Sequence, residues 1–151
     1  MRFNLILIIS IFLLYGCGYQ PVYKLDKGEF SIIKFNTNGS DIVAKNLIKN
    51  FERLKDNKEA KQYYEVIATS NIDTSINSKN SKGEIETYLL KVTVNLIVKK
   101  ENQIIQEKEF SEKNIYSNFD NKFELKQYEN IIIKGQTTKI INKINSFLRS
   151  L

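Results

Sequence analysis

The chain has 151 residues, with 23 Lys and Arg against 17 Asp and Glu for a net charge of +6, a length that suits one domain. It contains no His, no Trp, one Cys and one Pro. Ser-His-Asp and Cys-His catalysis are therefore excluded, as are an intramolecular disulfide and a cysteine zinc site. Lys outnumbers Arg 20 to 3, and Ile (22) and Asn (17) are abundant while Ala is scarce (3), the skew of AT-rich coding. Arg is the residue favoured for bidentate phosphate and base contacts, so the basic charge does not indicate a nucleic-acid partner.

Residues 1–16 read as a signal peptide. Arg2 supplies a short positive start, and Leu5 to Leu14 (LILIISIFLL) is apolar except for Ser10. Ten helical residues span only ~15 Å, about half of a bilayer core, which suits a cleaved h-region and not a transmembrane helix. The segment ends in Leu14-Tyr15-Gly16-Cys17, the bacterial lipobox pattern of an aliphatic residue three before a Cys and a small residue directly before it. The Cys17 thiol is expected to take a diacylglyceryl thioether, with cleavage after Gly16 and acylation of the new amine. Three acyl chains exceed the two signals that stable anchoring requires, so the mature protein is expected to be tethered to a membrane without spanning it. Its side-chain charge is then 22 − 17 = +5 once Arg2 is removed. Gly18, not Asp, follows the Cys, which by the enteric sorting rule favours the outer membrane.

Residues 17–28 read as a lipidated tether and 29–151 as a single α+β domain. Phe30 to Phe35 (FSIIKF) predicts a short strand bounded by the turn Asn36-Thr37-Asn38-Gly39. Ser40 suits the N-cap of a helix from Asp41, whose charge complements the positive helix end. Val43, Leu47, Phe51 and Leu54 give that helix one apolar side. Tyr64, Val66, Ala68, Ser70, Ile72, Thr74 and Ile76 alternate with polar residues and predict a second strand. After the polar turn Asn77 to Gly83, Tyr88, Leu90, Val92, Val94, Leu96 and Val98 share a face of a third. Lys100-Glu101-Asn102-Gln103 turns into a fourth, from about Ile104 to Tyr116, whose diluted pattern predicts an edge or partner-facing strand. A helix of roughly Glu124 to Leu148 closes the chain with Leu125, Tyr128, Ile132, Ile140, Ile144 and Phe147 or Leu148 as its stripe. The order β-α-β-β-β-α predicts a four-stranded mixed sheet, one parallel crossover followed by an antiparallel meander, with both helices on one face.

Catalytic, metal and cofactor sites are not expected. Ser31-Ile32-Ile33-Lys34 matches S-x-x-K, but on a strand rather than opening a helix and without the companion K-T-G. The acid pairs Glu84/Glu86 and Glu107/Glu109 read as solvated strand faces rather than glycosidase carboxylates. Two basic sets stand out. Lys79 and Lys82 lie in the turn after the second strand, and Lys99 and Lys100 follow the third strand, so a meander places them at opposite ends of the sheet. Each is a candidate contact for phosphate groups of an anionic glycolipid.

The run Gly16-Cys17-Gly18-Tyr19-Gln20-Pro21-Val22-Tyr23 has the form G-C-G-[FY]-x-P-[LV]-Y. It resembles the start of the LptE family of lipopolysaccharide-assembly outer-membrane lipoproteins, in particular its alphaproteobacterial members, and the element order is similar to that family's. The resemblance implies a non-enzymatic protein on the periplasmic face of the outer membrane. Such a protein plugs the large β-barrel LptD, helps it assemble and contacts lipopolysaccharide on its way to the cell surface. Beside this, Pro21 favours an extended tether, and Tyr19 and Tyr23 suit docking at headgroup level or on a partner. A lipobox and a small α+β domain also fit another envelope lipoprotein, such as an accessory subunit of β-barrel insertion machinery or a peptidoglycan-binding module. The motif after Cys17 and the element order separate these readings.

Overall fold

Alternating β-branched and polar residues over 62–100 build the centre of the molecule, a long antiparallel pair. In the computed structural model, which describes residues 30–55 and 57–151, these are β2 (Gln62–Lys79) and β3 (Ile85–Lys100). The edges are β1 (Phe30–Gly39) and β4 (Gln103–Ser117), and the sheet order is β1-β2-β3-β4. β1 runs parallel to β2, and β3 is antiparallel to both β2 and β4. The helices are α1 (Asp41–Phe51), extended by a 3-10 turn over Glu52–Leu54, and α2 (Lys122–Arg149). This is the predicted α+β class, with two helices on a four-stranded mixed sheet in the order β-α-β-β-β-α.

One face of the sheet carries the core. Tyr64, Val66 and Ala68 of β2 and Leu90, Val92, Val94, Leu96 and Val98 of β3 are buried beneath Val43, Leu47 and Phe51 of α1 and Ile132, Ile140, Ile144 and Leu148 of α2. Phe35 reaches into it from β1, with its ring centroid 4.9 Å from that of Phe51. Each fully buried aliphatic or aromatic side chain of this kind contributes about 1.5–3 kcal/mol.

β1 is longer than its hydrophobic run. The residues Asn36–Gly39, expected as a turn, stay in the sheet and pair with Ile67–Ser70, so polarity there marks an edge strand and not a loop. The strand ends at Gly39, whose φ is +102° and where a Cβ would overlap the Ser70 carbonyl oxygen and stand 2.8 Å from the Ser70 hydroxyl. Beyond that point β2 pairs only with β3, so the hairpin 71–93 overhangs β1. Ser40 occupies the N-cap of α1, but its hydroxyl makes no cap bond; its carbonyl accepts from the Ala44 amide at 2.8 Å. At α2 the cap is Asn121, whose Oδ1 accepts from the Phe123 and Glu124 amides, so this helix starts two residues before the predicted Glu124.

Both edge strands are irregular at the same end of the sheet. β1 has a bulge at Ile33, between Ile32 and Lys34, and β4 has one at Ile105, opposite the Val98–Lys99 step. β3 and β4 join through Glu101 and Asn102, with φ values of +52° and +66°, the two-residue hairpin geometry in which both central residues are left-handed.

Candidate functional site

The two basic sets lie where the meander places them, at opposite ends of the sheet, and do not form one patch. Lys79 closes β2 and Lys82 lies in the following turn. Asn80 organises this tip: its Oδ1 accepts from the Lys82 and Glu84 amides at 2.9 and 3.0 Å, and its Nδ2 donates to Glu84 at 2.8 Å. Gly83 takes φ +81° in the same turn. Below it the Ser78 hydroxyl donates to Glu86 at 3.2 Å and shares a 2.6 Å hydrogen bond with Thr87. Glu84 and Glu86 thus brace the hairpin, and they also balance the two lysines in charge, 2 − 2 = 0.

At the other end Lys100 donates to Gln62 Oε1 at 2.8 Å, and Lys99 pairs in register with Glu65 on β2 and Ile104 on β4. Ile33, Lys61, Tyr63 and Lys100 line a cleft of about 250 Å³ there. Ile33, Tyr63 and Ile104 were not singled out by sequence reasoning. Ile33 sits in an apolar run that looks like core, yet it follows the buried Ile32 and lies 59% exposed at the bulge. Cys17, the expected lipidation site, lies outside the described residues.

The sheet face away from the helices is polar across its middle and carries the apolar pairs Ile67/Ile97 and Leu89/Ile115 on either side of it. In register across it stand Asn38, Thr69, Asn95 and Glu109; Asn71, Thr93 and Ser111; and Asp73, Lys91 and Lys113. Glu107 and Glu109 belong to this face, both exposed, as the solvated-face reading expects. β4 is the outer strand with most of its residues exposed, as its diluted pattern predicts. Between β4 and the last turns of α2 lies a shallow groove of about 740 Å³. Lys108 Nζ stands 4.6 Å over the Phe147 ring and 5.5 Å from that of Phe110, while Lys143 pairs with Glu112 at 2.6 Å, so the groove's cations are already engaged.

Ser31 of the S-x-x-K match is buried, donates to the Leu54 carbonyl at 3.0 Å and accepts from the Asn57 amide at 3.3 Å, while Lys34 lies exposed past the bulge. That serine ties the 3-10 turn to β1. Tyr116 donates to Glu129 Oε1 at 2.6 Å, and burial, then the Glu129 hydrogen bond and charge, hold its phenol far above the ordinary range. Burial likewise raises Tyr64. Both phenols are thereby kept neutral as packing elements. Among the described residues no group of three or more His, Cys, Asp or Glu is placed to hold a metal, and no helix is long and apolar enough to cross a membrane.

No family model matches this sequence, and no curated protein sequence matches it. Solved structures do. The rare lipoprotein B of Shewanella oneidensis superposes with a TM-score of 0.56 at 10% identity, covering 78% of this chain and 96% of its own. An uncharacterized lipoprotein B of Nitrosomonas europaea gives 0.52 at 14% identity, covering 77% and 82%. A putative lipoprotein of Caulobacter crescentus gives 0.51 at 9%, covering 77% and 88%. The chain has the fold of these bacterial lipoproteins. At such identities the likeness is one of architecture, and it spans between 82% and 96% of each matched chain.

Proposed function

We propose that this chain is an outer-membrane lipoprotein, held at the periplasmic face through Cys17, that plugs and helps assemble an LptD-like lipopolysaccharide-translocating β-barrel. In this role it contacts lipopolysaccharide during delivery to the cell surface and carries out no catalysis. The observation behind the proposal is a coincidence of two independent features: the G-C-G-Y-Q-P-V-Y run at the lipobox, and a domain with the fold of solved bacterial lipoproteins.

The shape supports a plug. β2 has 18 residues, and its 17 steps of ~3.3 Å make the sheet about 55 Å long, longer than the ~40–45 Å thickness of a bilayer with its headgroups. A polar open face suits the polar interior of a large outer-membrane barrel. The Asn80-braced tip, projecting furthest from the start of β1, carries Lys79 and Lys82 as candidate contacts for lipopolysaccharide phosphates.

Depletion tests the role. Loss of the protein is expected to leave the partner barrel misassembled and to lower lipopolysaccharide at the cell surface. A folded barrel with unchanged surface lipopolysaccharide in depleted cells contradicts the proposal.

A further inference from the structure

Parallel pairing fixes where the N-terminal segment joins the domain. Phe30 lies opposite Gln62, at the end of the sheet that also holds the Glu101-Asn102 turn. The tether therefore joins the end with the bulged edges, and the tip with Lys79 and Lys82 is about 55 Å away along β2.

That end exposes apolar side chains, as the far end also does at Ile76 and Ile115, and what sets it apart is its charge. Ile33 is 59% exposed, Tyr63 43% and Ile104 54%, from three different strands. Edge bulges commonly blunt a sheet against unwanted pairing, with lysine or proline as the guarding residue. Here the residues that the bulges insert are Ile33 and Ile105, the opposite of a guard. Around them stand Lys34, Lys61, Lys99 and Lys100 against Glu65 and Glu101, a balance of 4 − 2 = +2, whereas the tip balances to zero. Exposed aliphatic side chains, a tyrosine and excess lysine at one end of the sheet make the chemistry of a headgroup-level contact with an anionic bilayer.

We infer that the tether-proximal end of the sheet, through Ile33, Tyr63, Ile104, Lys61, Lys99 and Lys100, rests on the anionic phospholipid surface of the leaflet that holds the lipid on Cys17. The inference rests on the lipoprotein reading. Cys17 to Phe30 is 30 − 17 = 13 residue steps, at most ~47 Å when fully extended. With the sheet upright and inverted, the tip would have to meet the bilayer about 55 Å from Phe30, beyond that reach. The bulged end meets it with slack to spare. The contact orients the strands along the membrane normal before a partner is engaged and directs the Lys79/Lys82 tip away from the anchoring leaflet.

The test uses the full lipidated protein in phosphatidylcholine vesicles with and without phosphatidylglycerol. Acylation of Cys17 leaves an introduced thiol as the single labelling site. Ile104→Cys and Lys82→Cys each carry an environment-sensitive fluorophore, and a headgroup-spin-labelled lipid is the quencher. Strong quenching is expected at 104 and little at 82, only when phosphatidylglycerol is present, and weakening with salt. A lysine near an anionic surface contributes about a factor of five, so Lys99→Glu with Lys100→Glu should lower the docked-to-free ratio at least ~25-fold. Lys34→Glu with Lys61→Glu makes the same test should the first pair not fold. Equal quenching at 104 and 82, no dependence on phosphatidylglycerol, or self-quenching between copies in place of lipid quenching overturns the inference while leaving the lipoprotein reading intact. An intact mass without acyl chains on Cys17 overturns both.

Discussion

Three glycines in this chain separate backbone strain from steric overlap, and substituting alanine at each gives a graded series. Gly83 has φ +81° with nothing within 4 Å of an added Cβ, so Gly83→Ala carries the left-handed strain alone, about 1–2 kcal/mol. Gly39 has φ +102°, and its Cβ would overlap the backbone oxygen of Ser70, which is held in the β1–β2 ladder. Gly39→Ala adds to the strain an overpacking cost of about 1–3 kcal/mol, for a total of roughly 2–5 kcal/mol. Gly135 lies in α2 with open space around it, and alanine there gains about 0.8–1.0 kcal/mol of helix propensity. Urea unfolding of the unlipidated mature domain, followed by far-UV circular dichroism, measures all three. The midpoints should rank Gly135→Ala above wild type, then Gly83→Ala, then Gly39→Ala, at constant m. A Gly39→Ala variant within 0.5 kcal/mol of Gly83→Ala, or a destabilised Gly135→Ala, refutes the placement of β1's end against Ser70 or of α2's exposed side.

Leu47 is fully buried and Ile131 is 64% exposed on α2, so Leu47→Ala should cost about 2–5 kcal/mol and Ile131→Ala within about 0.5, read from the same urea curves. The raised phenols of Tyr64 and Tyr116 make the fold alkali-sensitive. Their contribution is complete below the ordinary tyrosine value of 10.0 and is lost as pH rises above it, because the unfolded chain releases those protons first. Each tyrosine adds a slope of up to about 1.4 kcal/mol per pH unit, and Tyr116→Phe should remove one of the two slopes from stability measured between pH 9 and 12. Lys79→Glu with Lys82→Glu should weaken salt-sensitive lipopolysaccharide binding while leaving the melting temperature nearly unchanged. Unchanged binding in a filter or calorimetric assay retires the tip as a contact.

Much of the fold is written locally. The Val43-Leu47-Phe51-Leu54 spacing and the uninterrupted alternation Leu90 to Val98 correspond to buried surfaces residue by residue, while Tyr88 is partly buried at its margin, because period alone decides which side chains can meet a core. Where the pattern misleads, the cause is tertiary. Ile72, Thr74 and Ile76 continue the inward parity of β2, yet Ile76 is 49% exposed. At ~1.5 Å per residue, the 11 residues of α1 cover about 16 Å, far less than the ~55 Å of β2. In the middle of α2, between Ile132 and Ile140, Gln136 and Thr137 interrupt the apolar stripe. Both are buried, with Gln136 Nε2 donating to the Lys113 carbonyl at 3.1 Å and the Thr137 hydroxyl to the Ile133 carbonyl at 2.7 Å. Tyr128, placed in that stripe, stays partly exposed and packs edge-on to Phe119 at 5.4 Å. The separation of the two lysine sets followed from meander logic, whereas the tether-proximal surface did not. Ile33 and Ile105 there are inserted by bulges, and a single inserted residue leaves no mark in hydrophobic periodicity.

The measurement that bears most directly on the central claim is affinity purification of the tagged, lipidated protein from detergent-solubilised outer membrane, with mass spectrometry of whatever accompanies it in stoichiometric amount. The plug account predicts one large β-barrel at about one copy per copy of this chain. Recovery as a free monomer, or together with several subunits of the β-barrel insertion machinery, contradicts it.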